Sequence, residues 1–392
     1  MKRSTNRILT SHAGSLPRPD ALLEVNAAKV AGESYDKKTY DERLAAAVTE
    51  IAKRQADIGI DVINDGEFGK ATRGAIDYGA WQSYAWGRLS GWELGAQRQP
   101  PALAGRRDRK IFADFYRELD STQFLSSSSA FARPPTFVGP IAYTGQAAVR
   151  ADLANFKAAL GKVKAEEGFI TAVAPGSFAR RQNQYYKTDE EFLYALADAL
   201  KEEYKAIIEA GFVLQLDDPG LPDNWDLTDP EPSVAAYRKF AELRVETLNH
   251  ALKDLPEDRI RYHICWGSWH GPHSTDLPLS HIVDIMLKVR AGGFSVEAGN
   301  VRHEHEWKVW RDVKLPAGKV LIPGVVSHAT NVVEHPELVA DRIVRFSQVV
   351  GRENVIAATD CGLGGRIHPQ LAWAKLQALV DGAKLASREL WR

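Results

Sequence analysis

The chain has 392 residues, 44% hydrophobic and 26% charged, with 50 Lys and Arg against 51 Asp and Glu for a net charge of −1. This is ordinary globular composition at a length for one large domain or two average ones, and it lacks the basic footprint that a nucleic-acid partner requires. No apolar run approaches the roughly 20 residues that cross a bilayer. The basic start, Met1 to Arg7, leads into only a short apolar pair, so no secretory leader is expected, and two cysteines, Cys265 and Cys361, suit a reducing cytoplasm better than a disulfide scaffold.

Short apolar runs alternate with segments of helical period. Ile8-Leu9-Thr10 reads as a strand ending at His12-Ala13-Gly14-Ser15. Residues 38–58 read as a helix stopped by Gly59. Residues 60–63 form the next strand, which ends at Asp65-Gly66-Glu67. The stretch 71–163 breaks the rhythm. It carries Trp81, Trp86, Trp92 and a Ser126–Ser129 run, and reads as an insertion with extra β-structure at 135–141. Residues 169–173 resume the pattern. Thr188 to Glu191 is a capping box for a helix reaching Ala210. Residues 212–216 are a strand ending at Asp217-Asp218-Pro219, and a helix follows Ser233 to about Leu252. Strands at 261–264, 294–296, 320–322 and 355–358 complete the series, with helices at about 280–290, 336–351 and 371–385. Eight strands interleaved with helices predict a single (β/α)8 TIM barrel over 1–392, with the 71–163 insertion after the second strand.

Strand after strand ends in a polar signature: His12, Glu67, Asp217, His263 with Cys265, Glu297, and Asp360 with Cys361. In a barrel these ends converge on the C-terminal face, where active sites lie. Side chains two apart on a strand point the same way, so His263 and Cys265 can face one metal ion. With Cys361 and Glu297 they make a soft-to-borderline donor set suited to Zn2+. The competing reading is two buried thiols acting as small hydrophobes. His303-Glu304-His305 also has metal-like spacing, but reads better as a loop after the sixth strand. Trp266 and Trp269 could stack on a flat donor or simply pack. Arg18, Arg180 and Arg366 are candidates to clamp an anionic group.

Ala13-Gly14-Ser15, Asp65-Gly66-Glu67, Gln215-Leu216-Asp217, His263-Ile264-Cys265, Val296-Glu297, Pro323-Gly324-Val325 and Asp360-Cys361-Gly362-Leu363 with Arg366 occur in this order along most of the chain. Together they resemble the C-terminal catalytic barrel of the cobalamin-independent methionine synthases. His263 to His273 and Arg302 to Asn331 look still more like the shorter single-barrel relatives, a group that includes epoxyalkane:coenzyme M transferase-like proteins. The resemblance implies a zinc-dependent thiol S-methyltransferase with His263, Cys265, Glu297 and Cys361 as metal ligands. It implies Ala13, Gly14, Ser15, Glu67, Asp217 and Arg366 as residues that hold the amino-acid thiol. The expected partners are a small-molecule thiol and an alkyl donor, by default L-homocysteine and a methylfolate, with a homo-oligomer left open. The runner-up makes or cleaves a carbon–sulfur bond on another thiol. Two departures stand out: Asp218-Pro219 where the family usually has Glu-Pro, and His328 one position from the family's acid histidine.

Only the thiolate is a good nucleophile, and zinc deprotonates a bound thiol while leaving its sulfur reactive. The leaving group then needs a proton from a positioned acid. His328, His12 and Asp217 are the candidates, in that order.

Overall fold

The computed structural model describes residues 1–72, 74, 80–95, 107–121, 133, 135–179 and 182–392. The Ser126–Ser129 run and Arg180 lie outside the described residues. Eight parallel strands form the central sheet: β1 (Leu9–Thr10), β2 (Val62–Ile63), β3 (Glu167–Val173), β4 (Val213–Asp217), β5 (Ile260–Ile264), β6 (Gly293–Val296), β7 (Val320–Val326) and β8 (Ile356–Thr359). Their order is β1-β8-β7-β6-β5-β4-β3-β2. The ring closes between β1 and β2, where the Asp61 amide donates to the Thr10 carbonyl at 3.2 Å and the Ser11 hydroxyl to the Val62 carbonyl at 3.0 Å. This is the expected barrel.

Six long helices surround it: α1 (Lys37–Ile58), α2 (Gln146–Leu160), α3 (Asp189–Glu209), α4 (Val234–Leu252), α5 (Pro336–Val350) and α6 (Pro369–Leu390). Their ends follow the local chemistry read from sequence. Gly59 stops α1 with φ 97°, a conformation that costs glycine little. Thr188 caps α3 by accepting from the Glu191 amide, while the Glu191 carboxylate takes the Lys187 amide rather than that of the cap itself. Ser233 caps α4. Two expectations shift. The helix expected at 280–290 is one 3-10 turn, Leu279–His281, followed by one α turn, Val283–Met286. The barrel's own second helix, α2, lies inside the 71–163 stretch and packs between α1 and α3. The rest of that stretch supplies two strands, Trp92–Leu94 and Pro135–Phe137, of a small three-stranded sheet whose third strand, Gln182–Asn183, follows β3. Trp86 is buried there against Trp92 and Phe137 and against Phe178 of the loop after β3, so it packs the insertion onto the barrel. Among the described residues no helix is long and apolar enough to cross a membrane.

The alternation along the inner strands sets up the site. In β4 and β5 the even positions Leu214, Leu216, Tyr262 and Ile264 pack in the apolar core. Gln215, Asp217, Arg261 and His263 take the other face, and all four are buried. The register pairs Gln215 with Arg261 and Asp217 with His263, then His263 with Ser295. Arg261 therefore lies inside the barrel, directly below the site. It donates to Gln215 Oε1 at 2.6 Å, Ser11 Oγ at 2.8 Å and the His12 carbonyl at 2.6 Å, and sits 3.5 Å from the Phe169 ring centroid. Burial pulls its pKa down to about 9.

Candidate metal centre and substrate site

At the C-terminal ends of β5 and β8, a ring nitrogen of His263 and the sulfurs of Cys265 and Cys361 lie within 4.8 Å of one another. His263 Nδ1 is taken by Ser295 Oγ at 2.9 Å, its register neighbour. That leaves Nε2, buried and without a hydrogen-bonding oxygen or nitrogen, as the atom able to ligate. The two sulfurs are 3.9 Å apart. A disulfide would hold them at about 2.05 Å, whereas two thiolates about 2.3 Å from a tetrahedral ion stand about 3.8 Å apart. The donor set and its spacing fit a metal ion. The second nitrogen of His263, fixed by a hydroxyl, is the usual way a metal-binding imidazole is oriented. The hydrogen bond from Cys265, helped by His263, holds Cys361 well below the usual thiol range, and the same bond with burial pushes Cys265 up.

The fourth expected ligand, Glu297, stands slightly apart. Its carboxylate groups with His328 and Asp360, with donor atoms again within 4.8 Å. Glu297 Oε2 accepts from the Trp266 amide at 3.1 Å, and Oε1 accepts from Asn300 Nδ2. Burial, with Asp360 close by, raises its pKa to about 8. Asp360 Oδ1 accepts the Ala298 and Gly299 amides at 2.8 and 2.7 Å, tying the end of β8 to the loop after β6. Only glycine allows this approach at position 324, where a Cβ would meet Asp360 Oδ1 at 2.2 Å. Asp360 Oδ2 is buried without a partner. His328 is 1% exposed, with Nδ1 3.9 Å from Glu297 Oε1 and neither ring nitrogen hydrogen-bonded. Burial lowers its pKa to about 3.

The expected thiol-holding residues gather on the β1, β2 and β4 side. The loop after β2 is a tight turn: Asn64 Oδ1 takes the Gly66 amide and Asp65 Oδ1 the Glu67 amide. This puts Glu67 at φ 61°, a conformation that only a supporting structure maintains. Glu67 Oε1 accepts from Thr171 Oγ1 at 2.8 Å, and Lys70 Nζ lies 3.5 Å from Oε2. Lys70 also donates to Thr171 at 2.6 Å. Gly14, at φ 131°, approaches this carboxylate so closely that a Cβ would fall 2.3 Å from Oε1. Gln215 Nε2 joins the Ala13 carbonyl, at 2.7 Å, to Asp217 Oδ1, at 2.6 Å. Burial raises the Asp217 pKa to about 7; nearby His263 opposes the shift and Glu67 adds to it. Ser15 packs on the loop after β8, its carbonyl accepting the Leu363 and Gly364 amides. Arg366 donates from Nε to Ser268 Oγ at 2.7 Å, at the lip of the loop that follows Cys265.

Several sequence candidates take other positions. His12 leaves no ring nitrogen for a substrate. Nδ1 accepts the Gly14 amide at 3.2 Å, so Nε2 carries the proton and donates to Gln55 Oε1 at 2.7 Å. Burial holds the ring neutral, with a pKa of about 3. Its placement is that of a brace for the Gly14 turn, a correction to its place among the proton donors. Arg18 donates to the Glu67 and Lys70 carbonyls and so supports the same turn from behind. Asp218 accepts from Ser177 and Tyr262 hydroxyls at 2.6 and 2.7 Å, which engages both oxygens inside the fold. Trp266 stacks on His303 at 3.9 Å and Trp269 on His273 at 3.9 Å, so both pack. His303 and His305 do not form a pair: His303 is buried between Asp276 Oδ2, at 3.0 Å, and Glu306 Oε2, at 2.9 Å, and His305 is exposed. Reasoning from sequence missed Arg261, Lys70, Thr171 and Asn300. Only Arg261 carried a signal, a charge two positions before His263 on the same strand face.

Fold and site together define a (β/α)8-barrel enzyme with groups at its C-terminal face that can hold a metal ion. Residues 114–385 match the family described as "Cobalamin-independent synthase, Catalytic domain". The chain is 25% identical to a methionine synthase of Saccharolobus islandicus over 98% of this chain and 96% of that one. It is also 25% identical to an uncharacterized protein of Bacillus subtilis, YxjH, over 97% and 94%. In fold it is similar to a B12-independent methionine synthase from Shewanella, solved with selenomethionine, at a TM-score of 0.71, 20% identity and coverage of 98% and 99%. The chain belongs to the cobalamin-independent methionine synthase family and is a transferase.

Proposed function

We propose that this protein moves a methyl group from a methylfolate to the sulfur of L-homocysteine, giving methionine, and that zinc is its cofactor. The observation that carries the reading is the convergence of His263 Nε2 with two sulfurs 3.9 Å apart at the barrel's C-terminal face. The likeness over nearly the whole chain to relatives named methionine synthases supports it. His263, Cys265 and Cys361 would hold the ion, with Glu297 next to them. When bound, zinc supplies deprotonation of the substrate thiol while leaving its sulfur nucleophilic.

The chain's own residues do the rest. Glu67 and Asp217 take the substrate ammonium. Lys70 and Thr171 fix Glu67, and Gln215 fixes Asp217. Two carboxylates facing one lysine that is already paired favour an amino-acid thiol. A sulfonate thiol without an ammonium would bring only a further negative charge to two carboxylates that already repel each other. Ala13, Gly14 and Ser15 supply the backbone wall beside them, and Arg366 stands at the lip. His328 hands a proton to the departing nitrogen at a ring nitrogen. Burial alone keeps it neutral, so it depends on a carboxylate neighbour to take up that proton, and Glu297 at 3.9 Å is placed to serve.

The test is thermal unfolding of the zinc-loaded protein with and without saturating L-homocysteine, with coenzyme M as the comparison thiol. A ligand at 100 times its Kd stabilises by about 2.7 kcal/mol, which raises Tm by a few degrees. A zinc-dependent rise with homocysteine and none with coenzyme M is expected. The reverse pattern would move the protein to the carbon–sulfur chemistry of another thiol.

A further inference from the structure

The last helix, α6, buries a lysine. Lys375 is fully shielded from solvent, and its helical neighbours Ala372, Leu376 and Leu379 pack in the apolar core. An ammonium group in such surroundings is costly unless it is paired and hydrogen-bonded. Its Nζ donates to Glu334 Oε2 at 2.8 Å and to the Val332 carbonyl at 2.5 Å. Glu334, also buried, turns its other oxygen back to the start of the same loop, where Oε1 accepts the Ser327 amide at 2.8 Å. Ser327 Oγ in turn accepts the Ala329 amide at 3.0 Å. The amides one residue before and one residue after His328 are thus both held, and the chain of bonds that holds them ends on Lys375. His328 itself carries no hydrogen bond on either ring nitrogen, so its ring stands where its backbone and packing put it.

We propose that Lys375 and Glu334 are positioning residues for His328, fixing the loop after β7 so that the imidazole is held in one place at the barrel's C-terminal face. The inference rests on the part given to His328 in the reading above. Glu334 supplies the acceptor that closes the loop on the Ser327 amide. Lys375 offsets the buried charge of Glu334 and ties the far side of the loop, at the Val332 carbonyl, to the same point. Replacing a buried ion pair by apolar side chains of like volume is often neutral for stability, so what this pair adds is the place of the loop. A proton donor must reach the departing nitrogen, and the loop sets that reach.

Two neutral double variants separate position from stability. Lys375→Met/Glu334→Gln keeps a side-chain oxygen for the Ser327 amide, and Lys375→Met/Glu334→Met fills a similar volume without one. Both leave the Val332 carbonyl without its lysine, so they differ in the bond that closes the loop. The Gln variant is expected to keep most of kcat for methyl transfer to homocysteine. The Met variant is expected to lose about 10- to 100-fold in kcat, with KM for homocysteine and zinc content little changed. The ring is read directly by NMR of protein isotopically labelled on histidine, His328 being assigned by the loss of its signals in His328→Gln. Those signals should stay in place in the Gln variant and move in the Met variant. If the Met variant does not fold, Ser327→Ala cuts the bond to the Ala329 amide in the otherwise unaltered protein, and a fall in kcat with KM held is required of it. His328 signals that stand alike in the two double variants overturn the proposal, as does an unchanged kcat in Ser327→Ala where that variant is needed. Signals that move while kcat is alike in both would leave the positioning standing and overturn the part given to His328. Absence of methyl transfer by the unaltered protein would instead overturn the function reading, so these failures are distinguishable.

Discussion

Replacing Gly14 with alanine probes the substrate side of the site without touching a metal donor. The added Cβ would lie 2.3 Å from Glu67 Oε1 and 2.9 Å from Thr171 Cγ2. To restore a 3.0 Å separation the carboxylate must retreat by 0.7 Å, and it has nowhere easy to go. Thr171 and Lys70 hold its oxygens, and its own backbone is fixed at φ 61°. Position 14 itself, at φ 131°, adds backbone strain of about 1–3 kcal/mol for any residue with a Cβ. A misplacement approaching 1 Å costs on the order of 10²-fold in a positioned reaction. Gly14→Ala should therefore lower kcat/KM by about 10- to 100-fold, with most of the loss in KM for homocysteine. Zinc content should stay at the level of the unaltered protein, because His263, Cys265 and Cys361 are on other strands. Tm should fall by several degrees at most. The assay is initial-rate kinetics with the thiol varied, together with zinc content and thermal unfolding on the same preparation. A folded, zinc-loaded Gly14→Ala protein with unchanged KM for homocysteine would refute the assignment of Glu67 to the substrate.

Three further outcomes follow from the same geometry. Cys361→Ser should abolish stoichiometric zinc binding, measured by metal analysis after dialysis; retention of the ion at the original affinity would remove Cys361 from the site. Arg261→Met leaves Gln215 Oε1, Ser11 Oγ and the His12 carbonyl without their shared donor, and should destabilise by about 3–5 kcal/mol in urea unfolding; a loss below about 1 kcal/mol would show that the core repacks around it. His303, buried between Asp276 and Glu306 and stacked on Trp266, has its pKa raised to about 10, the carboxylate bonds outweighing burial. The folded state therefore keeps a proton that the unfolded chain releases near pH 6.5, so this contribution is complete below that pH and is lost as pH rises toward 10. The stability difference between the unaltered protein and His303→Gln should shrink from pH 6 to pH 9.5, and a difference that grows would contradict the pairing.

Much of this molecule is written in local sequence. The eight strands and most long helices follow from apolar period, from caps such as Thr188 and Ser233, and from the stop at Gly59, because each depends on residues within one turn of itself. His263 and Cys265 could be placed on one strand face by counting, since alternation in a strand is local as well. The stretch between β2 and β3 was harder to read: α2 sits within it with no side-chain cap at Gly145, so nothing marks where the barrel resumes. The broken segment at 279–286 has helical period but room for only single turns.

What only the tertiary structure decided is which side chains have their hydrogen bonds already taken. His12 and His328 read alike in sequence, each a histidine just beyond a strand. Folding gives His12 to Gln55 and the Gly14 amide, and leaves both nitrogens of His328 open in a buried site. Asn300 gives no signal in sequence, until its own turn is seen to lock its side-chain amide toward the Glu297 carboxylate. Arg261 reads as a stray charge in a strand until β1 and β4 bring three acceptors to it from 46 to 250 positions away. Sequence sets which groups a strand end presents. Whether such a group is spent inside the fold or kept for chemistry depends on hydrogen-bond partners that only chain closure brings within 3 Å.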